Sequence, residues 1–193
     1  VPEAELAALI VKAQAGDRAA FEKIVVATAR LVYSQIAPMV RDRQKAEDLA
    51  QETFLRAWRG LGSLEVPGGF TAWLLTLARH VTLDALKAES RRKRRDPSRV
   101  GGSVGEGAAD SLDVAGGEEG PDRAAARAES QAHALRLLAE LPEEYRQVLA
   151  LRYLGGADYQ AIRERLGLTD GALRGLLTRG MALLRERMSR LEL

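Results

Sequence analysis

Asp48, Gln51, Glu52 and Arg56 recur at spacings of three and four, which bring side chains to one side of a helix. Carboxylates beside an amide suit an arginine-rich partner, through charge-assisted and bidentate hydrogen bonds. Read alone, the same face is an ordinary solvated one. Leu49, Thr53, Phe54 and Ala57 fall on the opposite side, where they can face a core. Further on, Arg91-Arg92-Lys93-Arg94-Arg95 is either a solvated helix end or a grip for a polyanion. Its place before an acidic stretch favours the polyanion. The Glu47, Asp48 and Glu52 cluster lacks a nucleophile or a phosphate loop to work with, so the chain does not read as an enzyme. His80 and Asp84, four apart, could share a metal. With no cysteine and only one other histidine, His133, neither metal nor cofactor is expected.

These residues need helices to hold them. The chain has 193 residues, low aromatic content and abundant Ala, Leu and Arg, a composition suited to an all-α protein of one medium or two small domains. The absence of cysteine excludes a disulfide framework. No signal peptide and no apolar span of membrane length is evident, so a cytoplasmic location without membrane insertion is expected. Net charge is only +2, but it is unevenly spread. Residues 1–95 carry 16 Lys/Arg against 11 Asp/Glu, residues 96–130 carry 3 against 8, and residues 131–193 carry 10 against 8. Either end can therefore attract a polyanion that the middle repels.

Leu6, Leu9 and Ile10 suggest a first helix ending at Gly16, with Asp17 as N-cap of a longer second one. Pro38 is expected to kink or end that helix near Ala37. The Asp48 helix should stop by Gly60-Leu61-Gly62, and Glu65 to Gly69 reads as a loop. Phe70 to about Lys93 reads as helix again, with Leu74, Leu77, Val81 and Leu86 turned inward. Residues 96–121, rich in Gly, Ala, Ser and acid, read as a flexible acidic linker. The expected organisation is thus two small helical domains, 1–95 and 122–193, on either side of it.

In the second domain, Pro142-Glu143-Glu144 opens a helix that Gly155-Gly156 breaks. Asp158 to Leu166 is a short helix, Gly167-Leu168-Thr169 a tight turn, and Asp170 starts a long helix. Ile162, Leu166, Leu168, Leu173 and Leu177 would form the core that fixes a helix-turn-helix. Gly171, Gly175 and Gly180 each cost about 1 kcal/mol relative to Ala if they lie inside the last helix.

Taken in order, the Asp48 run, the stretch from Trp73 to His80 with Asp84, and the basic run resemble the second conserved region of a bacterial sigma factor of the small extracytoplasmic-function type. The resemblance covers roughly Gly16 to Arg95, and Leu141 to about Leu184 resembles the fourth region of the same family. It implies a factor that binds core RNA polymerase, directs it to promoters and helps to open them. Asp48, Gln51, Glu52 and Arg56 match the surface that docks on the β′ clamp helices. The Phe70 to Arg95 helix matches the element that melts and reads the minus-ten sequence. There Trp73, Arg79 and His80 would stack on or read unpaired bases, and Lys87, Arg91 and Arg92 would hold phosphates. The loop from Leu61 to Gly69 matches one that encloses a flipped base, with Gly68-Gly69 allowing close backbone approach. The last helix matches the one that reads the minus-thirty-five element, through Thr169, Ala172, Arg174, Gly175, Leu176 and Arg179, and its domain would meet the polymerase β flap. The linker would thread towards the RNA exit path, and an anti-sigma factor is a further expected partner.

The chain departs from the family pattern in places. His80 stands where Asn is common, and Gly175, Leu176, Met181 and Ala182 stand where Ser, Arg, Arg and Lys are expected. Minus-thirty-five readout is therefore expected to contribute less than usual. Two alternatives stay open at single residues: Trp73 as a core residue, and Leu176 packing on protein instead of thymine methyls. Two rival readings also remain: a sigma mimic that only sequesters an anti-sigma factor, and a simple helix-turn-helix regulator.

Overall fold

The computed structural model describes residues 2–40, 42–65, 67–95, 129–130 and 133–191, and among them all regular structure is helical. The expected linker at 96–121 lies outside the described residues.

Four helices build the N-terminal body: α1 (Glu3–Gln14), α2 (Arg18–Val40), α3 (Arg43–Gly60) and α4 (Phe70–Arg95). Local chemistry sets their ends. The Asp17 carboxylate accepts the Ala20 N–H at 3.0 Å and starts α2, and Asp42 does the same for Lys45 at the head of α3. Ile10, Ile24, Ile36, Phe54, Phe70 and Leu74 meet in one core beneath these helices. Between α3 and α4 the chain makes two single 3-10 turns, Leu61–Ser63 and Pro67–Gly69, the second inside the stretch expected as plain loop.

The expectation that α2 ends before Pro38 needs correction, because the helix runs through it to Val40. A proline this near a helix end removes one intrahelical bond, and burial of the whole stretch from Leu31 to Pro38 outweighs that loss.

Residues 133–139 (α5), α6 (Glu143–Leu149), α7 (Tyr159–Leu166) and α8 (Asp170–Leu191) build the C-terminal body. Leu138, Leu141, Leu149, Ile162, Leu173 and Leu177 form its core. Past Leu149 the chain widens into a π turn, Ala150–Leu154, where the Gly155 N–H reaches back to the Ala150 carbonyl at 2.9 Å. Nothing in the residue pattern announces that turn. Gly180 lies inside α8 where an added Cβ would sit 3.1 Å from Leu149 Cδ1 and 3.2 Å from Tyr145 Cβ. Its lack of a side chain lets α8 approach α6 closely, a compensation for its helix cost that composition does not reveal.

The two bodies touch. The π turn lies on α2, and α7 lies on α4. Leu31 of α2 and Leu75 of α4 are buried in the core of the C-terminal body, each burial worth about 1.5–3 kcal/mol. This second neighbour explains why eight successive residues of α2 are buried when an amphipathic helix would hide only one stripe.

Candidate functional site

On α3, Ala46, Ala50, Thr53, Phe54 and Ala57 are buried, which turns Asp48, Gln51, Glu52 and Arg56 outward together. Glu52 accepts from Arg56 Nε at 2.6 Å, and Arg56 Nη1 also lies 3.9 Å from an Asp84 oxygen on α4. Among the described residues Asp48 meets only the Gln44 amide, at 3.4 Å. Exposed pairs of this kind are worth about 0–1 kcal/mol, so a partner's guanidinium can displace Arg56 cheaply. Leu55 sits in the middle of this face and is 54% exposed. Sequence reasoning passed over it, although its offsets of three and four from Glu52 and Gln51 place it there. Glu47 does not belong to the face. It is 6% exposed and bound to Arg43 at 2.9 Å. Burial, and to a lesser degree this carboxylate, raise the pKa of the neighbouring Tyr33 phenol, while Arg43 opposes them.

Along α4, Trp73, His80, Asp84, Lys87 and Arg91 follow one another at helical spacing and share a side. His80, Lys87, Arg91 and Arg92 are exposed, with Arg92 about 100° further round the helix. Trp73 is half-buried: its ring lies 5.8 Å from Phe70 and would touch a Cβ at Gly60 at 3.4 Å. Most of that indole belongs to the core, with an edge left over. Arg79 leaves the group altogether and pairs with Glu143 of the C-terminal body at 3.7 Å. The loop before α4 is held by Gln14, whose amide donates to the Leu61 and Leu64 carbonyls at 3.1 and 2.8 Å. No pattern in the sequence marks Gln14 for this task. Gly68 and Gly69 have open space where side chains would be.

The helix-turn-helix is built as its residues suggest. Asp158 caps α7 by accepting from Ala161 N–H at 2.7 Å. Gly167 takes φ 66° and ψ 35°, the left-handed conformation that glycine adopts without strain. Thr169 Oγ1 accepts from Ala172 N–H at 3.3 Å, and Arg163 pairs with Asp170 across the turn at 3.0 Å. Thr169, just before α8, and Ala172, Arg174 and Arg179 on it are exposed, and Gly175 is half-buried beneath the Arg179 guanidinium. Leu176 is half-buried like Gly175, and packs in part on its own domain's core.

The chain matches the family model for sigma-70 region 2 over residues 24–92 and that for sigma-70 region 4 over residues 133–184. It is 31% identical over 172 residues to the RNA polymerase sigma-H factor of Pseudomonas aeruginosa, covering 89% of this chain and 87% of that protein. The chain belongs to the extracytoplasmic-function sigma factor family. It is also 31% identical to the sigma factor SigK of Mycobacterium ulcerans, over 84% of this chain and 82% of that one. Against a probable sigma factor of Xanthomonas campestris, RfaY, it is 32% identical over 91% of its length but spans 42% of that longer protein. Its fold resembles that of CnrH, solved in complex with the cytosolic domain of CnrY. The TM-score is 0.62 at 23% identity, covering 96% of this chain and 98% of that chain.

In this sigma factor the region 2 match contains both the α3 face and most of α4, and the region 4 match contains the helix-turn-helix. Among the described residues no helix is long and apolar enough to cross a membrane, and no group of three or more His, Asp or Glu is placed to hold a metal ion. Sigma factors as a family act by binding rather than by bond chemistry.

Proposed function

We propose that this sigma factor docks on the β′ clamp helices of core RNA polymerase through Asp48, Gln51, Glu52 and Arg56, and directs it to promoters. On the same reading Lys87, Arg91 and Arg92 hold phosphates at the minus-ten element, His80 and the exposed edge of Trp73 meet its unpaired bases, and Arg79 joins them when free of Glu143. The Leu61–Gly69 loop takes a flipped base, which the open space over Gly68 and Gly69 would admit. Arg174 and Arg179, with Thr169, Ala172 and Gly175, meet the minus-thirty-five element while the C-terminal body rests on the β flap. Leu176 supports the helix from within.

The observation that carries this reading is the order of the two family regions along the chain, supported by the exposure of Asp48, Gln51 and Arg56 on α3 and of Lys87, Arg91 and Arg92 on α4. The alternative, a mimic that only captures an anti-sigma factor, is not favoured. Relatives matched over most of their length are named as sigma factors, and the cations of α4 stand free of that body's core. An anti-sigma factor remains an expected partner of a true sigma factor.

Run-off transcription with core polymerase on a library of random promoters tests the function. Specific start sites that depend on the added protein are expected. Complete absence of such transcripts, with the protein bound to polymerase, would leave the mimic as the better account.

A further inference from the structure

Asp84 is the odd member of its neighbourhood. On the exposed side of α4 it stands one turn from His80 and one turn from Lys87, inside the stripe proposed to meet DNA. A carboxylate there repels the phosphates that its neighbours would attract. The other acid between His80 and Arg95 is Glu89, and Lys45 of α3 pairs with it. Asp84 is answered more loosely. Arg56 Nη1 lies 3.9 Å from its Oδ2, close enough for a charge pair and too far for a hydrogen bond.

Arg56 is held from the other side. Its Nε donates to Glu52 Oε1 at 2.6 Å, one turn back along α3. A single guanidinium thus stands between carboxylates on two helices, bonded to the first and merely near the second. Closing on Asp84 to the usual length of a charge-assisted hydrogen bond needs a shift of about 1 Å. We propose that Arg56 is a positioning residue shared by these two acids, and that its choice sets the charge which Asp84 presents to DNA. While Glu52 holds Arg56, Asp84 opposes phosphate binding along α4. When a partner's cation takes Glu52, Arg56 turns to Asp84 and cancels it. The inference rests on the docking and minus-ten roles proposed above, and gives Arg56 a task beyond contact with polymerase.

The surroundings allow the exchange. The side chains of Glu52, Arg56 and Asp84 are 41%, 44% and 64% exposed, so the guanidinium can turn through water without displacing packed atoms. Beneath them Ala50, Thr53, Phe54 and Ala57 are buried and fix the α3 backbone, which leaves the movement to one side chain. A phosphate held by Lys87 falls within the Debye length of Asp84, about 10 Å at 0.1 M salt, so its repulsion is felt and grows as salt is lowered. Cancelling it is expected to raise affinity for DNA about three- to tenfold. By linkage, bound DNA strengthens the hold of a partner on Glu52 by the same factor.

Glu52→Gln imitates the docked state, because it releases Arg56 with no polymerase present. Binding of the full chain to short single-stranded DNA of mixed sequence, followed by fluorescence anisotropy at low salt, provides the readout. Glu52→Gln is expected to tighten binding about three- to tenfold, and Asp84→Asn to do the same by removing the acid itself. In an Arg56→Gln background, Glu52→Gln should change affinity by less than about twofold, since nothing remains to carry the effect to Asp84. An equal gain with and without Arg56 would mean that Glu52 acts by its own distant charge, and would overturn the proposal. So would no gain from Glu52→Gln, or no binding by any variant. An Arg56 that merely ties α3 to α4 would shift the melting temperature and leave the DNA cycle flat. The cycle uses neither promoter nor polymerase, so failure of the unaltered chain to initiate transcription sinks the functional reading and leaves the exchange to be judged on its own.

Discussion

The two helices proposed to meet DNA, α4 and α8, are similar in length and opposite in construction. The second half of α4 projects beyond the bundle core, with Lys87, Arg91, Arg92, Arg94 and Arg95 all exposed. By contrast α8 gives Leu173 and Leu177 to its core completely and Leu176 partly, contains three glycines, and has Arg174 and Arg179 as its exposed cations over the stretch that would lie in a groove. A helix that must both hold a small domain together and read DNA has few positions left for cations. The one that overhangs its domain has many. On this comparison the electrostatic share of promoter affinity is expected to lie mainly with the N-terminal body.

The largest expected effect is on neither helix. Reversing charge in the α3 face, Asp48→Lys with Glu52→Lys, should weaken polymerase binding by about 100-fold or more, since like charges across an interface cost several kcal/mol. Competition binding against unmodified protein measures it. Next, Arg91→Glu with Arg92→Glu should reduce promoter complex formation by about 10- to 100-fold and flatten its salt dependence. Arg174→Ala or Arg179→Ala should cost about three- to tenfold each, with the slope of log K against log salt falling by about one for a phosphate contact. If the α8 substitutions exceed those on α4, the proposed division of labour is wrong. The smallest effects are on stability. Gly180→Ala should destabilise by about 1 kcal/mol through overpacking against Leu149 and Tyr145, whereas Gly171→Ala, with open space around it, should stabilise by about 0.5–1 kcal/mol. Thermal melts should shift in opposite directions by a few degrees.

The parts legible in the sequence are those settled within a few neighbouring residues. Asp17, Asp158 and Thr169 act as caps because a short oxygen-bearing side chain beside a free N–H has little alternative. Gly167 marks its turn for the same local reason, and the outward set on α3 follows from a 3.6-residue period. What was not legible depends on distant partners. Pro38 fails to end α2 because the helix is sandwiched between two bodies. Gln14 crosses 47 positions to hold Leu61. Arg79 finds Glu143, 64 positions away in the other body, and Leu176 settles half-buried where spacing left it free to face either way. Each outcome is a choice between surfaces of similar local cost, made by contacts that periodicity does not encode.

The π turn at Ala150–Leu154 accommodates one residue more than a regular helix would over the same path. Removing a single residue there would let the backbone relax into the commoner winding. The price would fall elsewhere: everything just beyond would swivel by about 100°, carrying α7 and α8 off the core they share with α6 and Gly155 off its close approach to Ser34, by a deletion that touches no charged group at all.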